Sequence, residues 1–148
     1  MKALIAAGAD ANQVTIGGCN ALIWALYAKM EDNALALIPL TKNLNQSSPQ
    51  VGTALGLAVS NSYDSVIPYL LAVPGIDVNL PGDTAGNSPL MSAIKLKNKI
   101  IVSQLLAHGA CVRTVDSSGH TPQGVATDQG DQEIQTLIDA AAAQPDHC

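Results

Sequence analysis

The chain encodes an all-α solenoid: helix-turn-helix units stacked in a row and joined by short β-turn or hairpin connections. Three observations lead there. Two sequence landmarks recur in phase at a period of about 33 residues along the whole chain, which is the signature of a repeat architecture. Each recurrence carries a helix start and a helix stop. The composition, 47% hydrophobic but only 3% aromatic with no Phe, supplies the Ala, Leu, Ile and Val that thin, closely packed helices need.

The first landmark is a polar residue leading into a helix. Asn20-Ala21-Leu22, Thr53-Ala54-Leu55, Ser88-Pro89-Leu90 and Thr121-Pro122-Gln123 are each followed by an alanine, at Ala25, Ala58, Ala93 and Ala126, spaced 33, 35 and 33 residues apart. The second landmark is a tail: Gly8-Ala9-Asp10-Ala11-Asn12, Asn43-Leu44-Asn45, Gly75-Ile76-Asp77-Val78-Asn79 and Gly109-Ala110-Cys111-Val112-Arg113, whose last residues are spaced 33, 34 and 34 apart.

Each landmark has a physical task. Thr53, Ser88 and Thr121 suit the N-cap, where a hydroxyl accepts from an amide that the first helical turn leaves unpaired, and Pro89 and Pro122 then fall at the first helical position, where no donor is missed. Gly8, Gly75 and Gly109 follow Leu4-Ile5, Leu70-Leu71 and Leu105-Leu106 and suit the left-handed residue that ends a helix. Between start and stop each unit holds two short helices, for instance 54–60 and 65–72, followed by an extended polar stretch. One such pair cannot bury its apolar face alone, so the units must stack into a continuous core. In the last unit Asp131, Gln132, Glu133, Gln135 and Asp139 surround Ile134, Leu137 and Ile138, the polar outer face a terminal unit needs. The start has no such face. Leu4 and Ile5 read as half of a helix pair whose first helix is missing, so further units are expected upstream in a longer polypeptide. The alanines at 140–143 and residues 144–148 read as a fraying helix and a tail.

With that period, the Thr-Pro-Leu-like start, the small alanine, the Leu-Leu pair and the Gly-Ala-Asp-x-Asn tail, the chain resembles ankyrin repeats. The resemblance implies a single ankyrin-repeat domain over residues 1–143: a trailing half-repeat at 1–13, repeats at 14–47, 48–81, 82–114 and 115–143, and a tail at 144–148. It also shows departures. The histidine that the family usually carries after Thr-Pro-Leu is replaced by Ile23, Gly56, Met91 and Gly124, so stability is expected to lean on packing instead of imidazole hydrogen bonds. The first full repeat lacks the Gly-Ala-Asp tail and carries Pro39 in its second helix.

Composition and charge bound the function. At 148 residues the chain can bury a core without staples, and disorder is excluded by the hydrophobic content. With 7 Lys and Arg and a net charge of -5, no phosphate-binding surface is expected, so nucleic acid is not the partner. No apolar run reaches the roughly 18 residues a membrane span needs, and Gly8 and Asp10 interrupt any signal-peptide core. Cys19, Cys111 and Cys148 show no Cys-x-x-Cys spacing, which leaves reduced thiols in a cytoplasmic setting.

The sequence offers few groups that could carry chemistry. Asp116, Ser118 and His120 superficially form a triad, yet they fall in a turn between repeats, where Asp and Ser bond the local backbone. His147 and Cys148 lie at a terminus that cannot preorganise a site. No pair of His or Cys has helical i, i+4 spacing and no glycine-rich phosphate loop is present, so neither a metal site nor a cofactor nor enzymatic activity is expected. Lys95, Lys97 and Lys99 read either as a solvated turn or as a basic contact for an acidic partner.

The resemblance implies a protein-protein interaction module, monomeric, that binds a protein partner through the concave face formed by hairpin tips and first helices. Carried onto this chain, the contact positions are Tyr27, Gln50, Ser60, Asn61, Thr84, Ala85, Asn87, Lys95, Leu96, Ser117, Ser118, His120, Asp128 and Gln129. Trp24 sits where the family places a packed leucine and is expected in the core. Leu71, Asp77, Val78 and Asn79 match the pattern that a cytosolic asparaginyl hydroxylase reads in ankyrin repeats, which makes Asn79 a modification candidate; the same side chain also suits a bond across its own turn. Leu4, Asp10 and Asn12 match that pattern more weakly. An alternative is the targeting region of a larger multidomain protein, such as a translocated bacterial effector whose catalytic domain lies elsewhere.

Overall fold

The computed structural model describes residues 8–144; the Leu4-Ile5 half-repeat and the His147-Cys148 pair lie outside them. The elements run α1 Ala21–Tyr27, α2 Glu31–Leu37 continued by a 3-10 turn Ile38–Leu40, β1 Ser47–Ser48, β2 Gly52–Thr53, α3 Ala54–Ser60, α4 Ile67–Leu71, α5 Pro89–Lys95, α6 Lys99–Ala107, α7 Pro122–Gln129 and α8 Gln132–Ala142. They form four helix pairs. The first helices stack in the order α1, α3, α5, α7, and behind them α4, α6 and α8 form a second row. Leu22, Ile23, Leu26, Leu55, Ile67, Leu70, Leu90, Met91, Ile94, Ile101 and Leu105 are wholly buried between the rows.

The helix starts are capped as the sequence requires. Thr53, Ser88 and Thr121 accept from the backbone N–H of Gly56, Met91 and Gly124 at 3.1, 3.3 and 3.1 Å, and Asn20 does the same for Ile23 at 2.9 Å. Each such cap stabilises its helix by about 1 kcal/mol. Gly8, Gly75 and Gly109 hold φ of 92°, 83° and 81°. A second left-handed position recurs between the helices of each pair: Lys29, Ser62, Lys97 and Gly130, with φ of 59°, 56°, 56° and 66°. Two helices shift from expectation. Pro39 lies in the 3-10 turn that continues α2, and Pro68, which has no N–H to donate and whose ring would clash with a preceding helical turn, is confined to the first turn of α4, which starts at Ile67 and spans Ile67–Leu71 instead of 65–72.

The tails are joined by an asparagine ladder. Asn12 donates to Leu40 O and accepts from Lys42 N–H at 3.1 and 2.7 Å. Asn45 donates to Gly75 O and accepts from Asp77 N–H, both at 2.8 Å. Asn79 donates to Gly109 O at 3.3 Å and accepts from Cys111 N–H at 2.7 Å. Each rung satisfies a backbone carbonyl and a backbone amide of the following tail, groups that otherwise face the cost of an unmade bond. At the same phase Arg113 reaches Ala142 O at 3.4 Å.

At three of the four positions where the family carries histidine, close apolar or backbone packing takes its place, while Gly124 is exposed. Ile23 and Met91 are fully buried. At Gly56 the following connection comes so close that an added Cβ would lie 2.0 Å from the Gly82 Cα, so the backbones touch and no side chain fits between them.

Candidate functional site

The four first helices end on one exposed row. Tyr27, Ser60, Lys95 and Asp128 hold equivalent positions, and Asn61, Leu96 and Gln129 follow the last three; all seven are exposed. Beside this row stand the tips of the connections, where Gln50, Thr84, Ala85, Ser117, Ser118 and His120 are exposed as well.

Carboxylates shape two of the tips. Asp83 Oδ1 accepts from the backbone N–H of Ala85 and Asn87 at 2.9 and 3.0 Å, and its Oδ2 accepts from Asn87 Nδ2 at 2.7 Å. Asp116 repeats the arrangement with Ser118 and His120 N–H at 2.8 and 2.9 Å, and its Oδ2 lies 3.1 Å from His120 Nδ1. These donors, the His120 amide foremost, hold the Asp116 carboxyl below the usual carboxylate range. The tips are also tied to each other. Ser117 donates to Ala85 O through its backbone N–H at 3.0 Å and its hydroxyl at 2.8 Å, and the Ser48 hydroxyl donates to Gly17 O at 2.7 Å. Loops held in this way present their side chains without a large ordering cost on binding.

Asn87 departs from the contact set. It is 8% exposed because the Asp83 carboxylate holds it inside the loop, and it accepts from Lys95 Nζ, so it positions that ammonium instead of forming part of the surface. The Asp116, Ser118 and His120 group is a turn: Ser118 enters through its backbone N–H alone. Cys19 and Cys111 are free and buried. Among the described residues no cluster of three or more His, Cys, Asp or Glu is placed to hold a metal ion, and no helix is long and apolar enough to cross a membrane.

Trp24 corrects an expectation. It is 49% exposed, and its ring meets that of Tyr27 edge to face, centroids 5.8 Å apart at 85°. The leucine-like position is covered in the other repeats by the unit before; α1 has no such cover among the described residues. Val14 and Ile16 are exposed nearby. The sequence did carry a signal for Ile16, which stands between Thr15 and Gly17-Gly18, a turn composition. Nothing in the local sequence marks Lys29, Ser62 and Lys97 as left-handed; that became visible only through the phase shared with Gly130.

Comparison with known proteins agrees with this geometry. The family model described as ankyrin repeats, in three copies, matches residues 55–146. The chain is 34% identical over 151 residues to the ankyrin repeat protein YahD of Escherichia coli (strain K12), covering 97% of this chain and 73% of that protein. It is 26% identical over 147 residues to the nuclear factor NF-kappa-B p105 subunit of Gallus gallus, covering 96% of this chain but 15% of that protein. With a period of about 33 residues, capped helix pairs stacked in two rows and a family model matched over more than half its length, the chain belongs to the ankyrin-repeat family.

Proposed function

We propose that the chain is a cytoplasmic monomer that binds one protein partner along the row of first-helix ends and connection tips. Ankyrin repeats are generally protein-interaction modules, and solenoids use extended surfaces of this kind for binding. The observation that carries the reading is the exposed row Tyr27, Ser60, Lys95 and Asp128, flanked by tips locked to one another through Ser117 and Ala85. Most of these side chains are small or polar, which suits a moderate affinity, with Tyr27 and Leu96 as the larger anchors and Lys95 as the cation for an acidic group on the partner.

The test is an affinity capture from cytosolic lysate, followed by titration of the captured protein against three forms: wild type, Tyr27→Ala with Lys95→Glu, and Ser103→Lys on the second row. Loss of binding in the double variant with wild-type binding in Ser103→Lys supports the surface. Equal affinity for all three forms rejects it.

A further inference from the structure

Across the boundary between the third and fourth units the charged side chains face one another as opposites. Lys99 at the start of α6 closes on Glu133 at the start of α8, and Lys97 attracts Asp131. Lys95 and Asp128 bring the same two signs to the same boundary from the ends of α5 and α7, both exposed on the row, yet they do not close. Among the described residues Asp128 has no ion-pair partner. The Lys95 ammonium donates instead to Asn87 Oδ1, and Asp83 Oδ2 holds that carboxamide from its other side at 2.7 Å.

The carboxylates of the neighbouring tips are already occupied. Asp83 and Asp116 accept N–H groups of their own loops, and His120 is turned to Asp116. The row is left with one cation and one anion, held apart and exposed. A cation fixed in advance by Asn87 costs less to order on binding. Packed helices lie about 8–10 Å apart, so equivalent positions of neighbouring first helices recur along the row at about that spacing. A polyproline-II chain repeats every three residues, at about 9.3 Å, and each third side chain then meets one unit. A helix offers its nearest match at seven residues, about 10.5 Å, and drifts round by about 20° at each such step.

We propose that the row takes an extended, polyproline-II-like protein segment that carries an acidic residue and a Lys or Arg three positions apart, an inference that rests on the row being the binding surface. The acid pairs with Lys95 and the base with Asp128. Ser60 and Tyr27 then meet the residues three and six positions beyond the acid, with Tyr27 as the aromatic end of the register. A segment with the two charges exchanged meets like charge at both places, so the pair selects one register over the others.

The probe is a phage-displayed library of random 12-residue peptides, selected on the intact chain, with the enriched peptide then synthesised and titrated. The expected result is enrichment of an acidic residue and a Lys or Arg three positions apart. Lys95→Gln and Asp128→Asn should each weaken binding about two- to fivefold, the range of an exposed charge contact. Lys95→Glu with Asp128→Lys, which keeps the net charge, should weaken it about tenfold or more, and exchanging the two charges in the peptide should restore it. An unchanged Tm in each variant shows that the fold is intact. A library that yields no binder, enriched peptides with another charge spacing, or a swapped chain that binds the original peptide as wild type does overturns the proposal. If the peptides also bind Tyr27→Ala with Lys95→Glu as tightly as wild type, the row itself is rejected; if that variant loses them while Asp128→Lys does not, only the charge pairing fails.

Discussion

Asn79 reaches into the next unit: its Oδ1 accepts the backbone N–H of Cys111 at 2.7 Å while its Nδ2 donates to Gly109 O at 3.3 Å. The bond expected across its own turn is therefore a bond between units, and one side chain satisfies two backbone groups of the tail that follows α6. Asn79→Ala orphans both. Because a buried backbone group without a partner costs about 1–3 kcal/mol, urea unfolding should show a loss of that size. A loss below about 0.5 kcal/mol would mean that water replaces the side chain at no cost.

As a proposed hydroxylation site, Asn79 has to leave both of these bonds before its side chain enters another active site. Modification by an asparaginyl hydroxylase is therefore expected to be slow in the folded stack and faster in mild urea, where tails open locally before the whole domain unfolds. Intact-mass analysis reads the gain of one oxygen, and Asn79→Ala should prevent it. No gain under either condition removes the candidate.

What the sequence revealed and what it hid divide along a physical line. N-caps, the prolines that follow them and the glycines that stop helices act within a few residues, so Thr53, Ser88, Thr121 and Gly109 could be read locally. The burial of Trp24 depends on a neighbouring unit, and the fate of Asn87 depends on where Asp83 and Lys95 end up. Such outcomes are set by tertiary contact and have no local signature. The exposed row was legible only because the repeat phase carries a position in one unit to the next; the ladder from Asn45 to Gly75 and Asp77 needed the structure.

Restoring the family histidine at position 56 should fail, and even alanine should be costly there. A Cβ at Gly56 would lie 2.0 Å from the Gly82 Cα, whereas at the equivalent Gly124 it meets only the Thr121 hydroxyl at 3.3 Å. Overpacking typically costs about 1–3 kcal/mol, so Gly56→Ala should lower stability by at least that. Gly124→Ala, which gains helix propensity worth up to about 1 kcal/mol, should stay near neutral or stabilise. Thermal and urea unfolding of the two variants side by side decides the matter; equal effects would refute the contact.

Lys97 occupies the left-handed turn that Gly130 fills in the last unit, φ 56° against 66°. A side chain there costs about 1–2 kcal/mol that glycine does not, while glycine raises the entropy of the unfolded chain. Lys97→Gly should therefore gain a few tenths to about 1 kcal/mol, visible as a higher Tm, and Lys97→Val should lose at least as much. A lower Tm for the glycine variant would show that the ammonium, through its attraction to Asp131, matters more than the backbone.

The acid limb of stability should report the connection tips. Asp116 is held below its ordinary value of 3.8, first by the His120 backbone N–H, and Asp10 and Asp131 are lowered by similar amide bonds from Asn12 and Ile134. A carboxyl whose folded value lies below its unfolded one contributes stability that is present above the unfolded value and is lost as pH falls through the folded one. Lys99 runs the other way: raised above 10.5 chiefly by Glu133, it stabilises below that value and ceases to as pH rises through the folded one. Stability should thus be nearly flat between about pH 5 and pH 9 and fall below about pH 4. In Asp116→Asn the carboxamide cannot lose or gain that proton, so the variant should start from a lower Tm at neutral pH and fall less steeply in acid. A Tm series across the acid range for wild type and variant tests both halves, and parallel curves would show that the Asp116 tip is not coupled to unfolding.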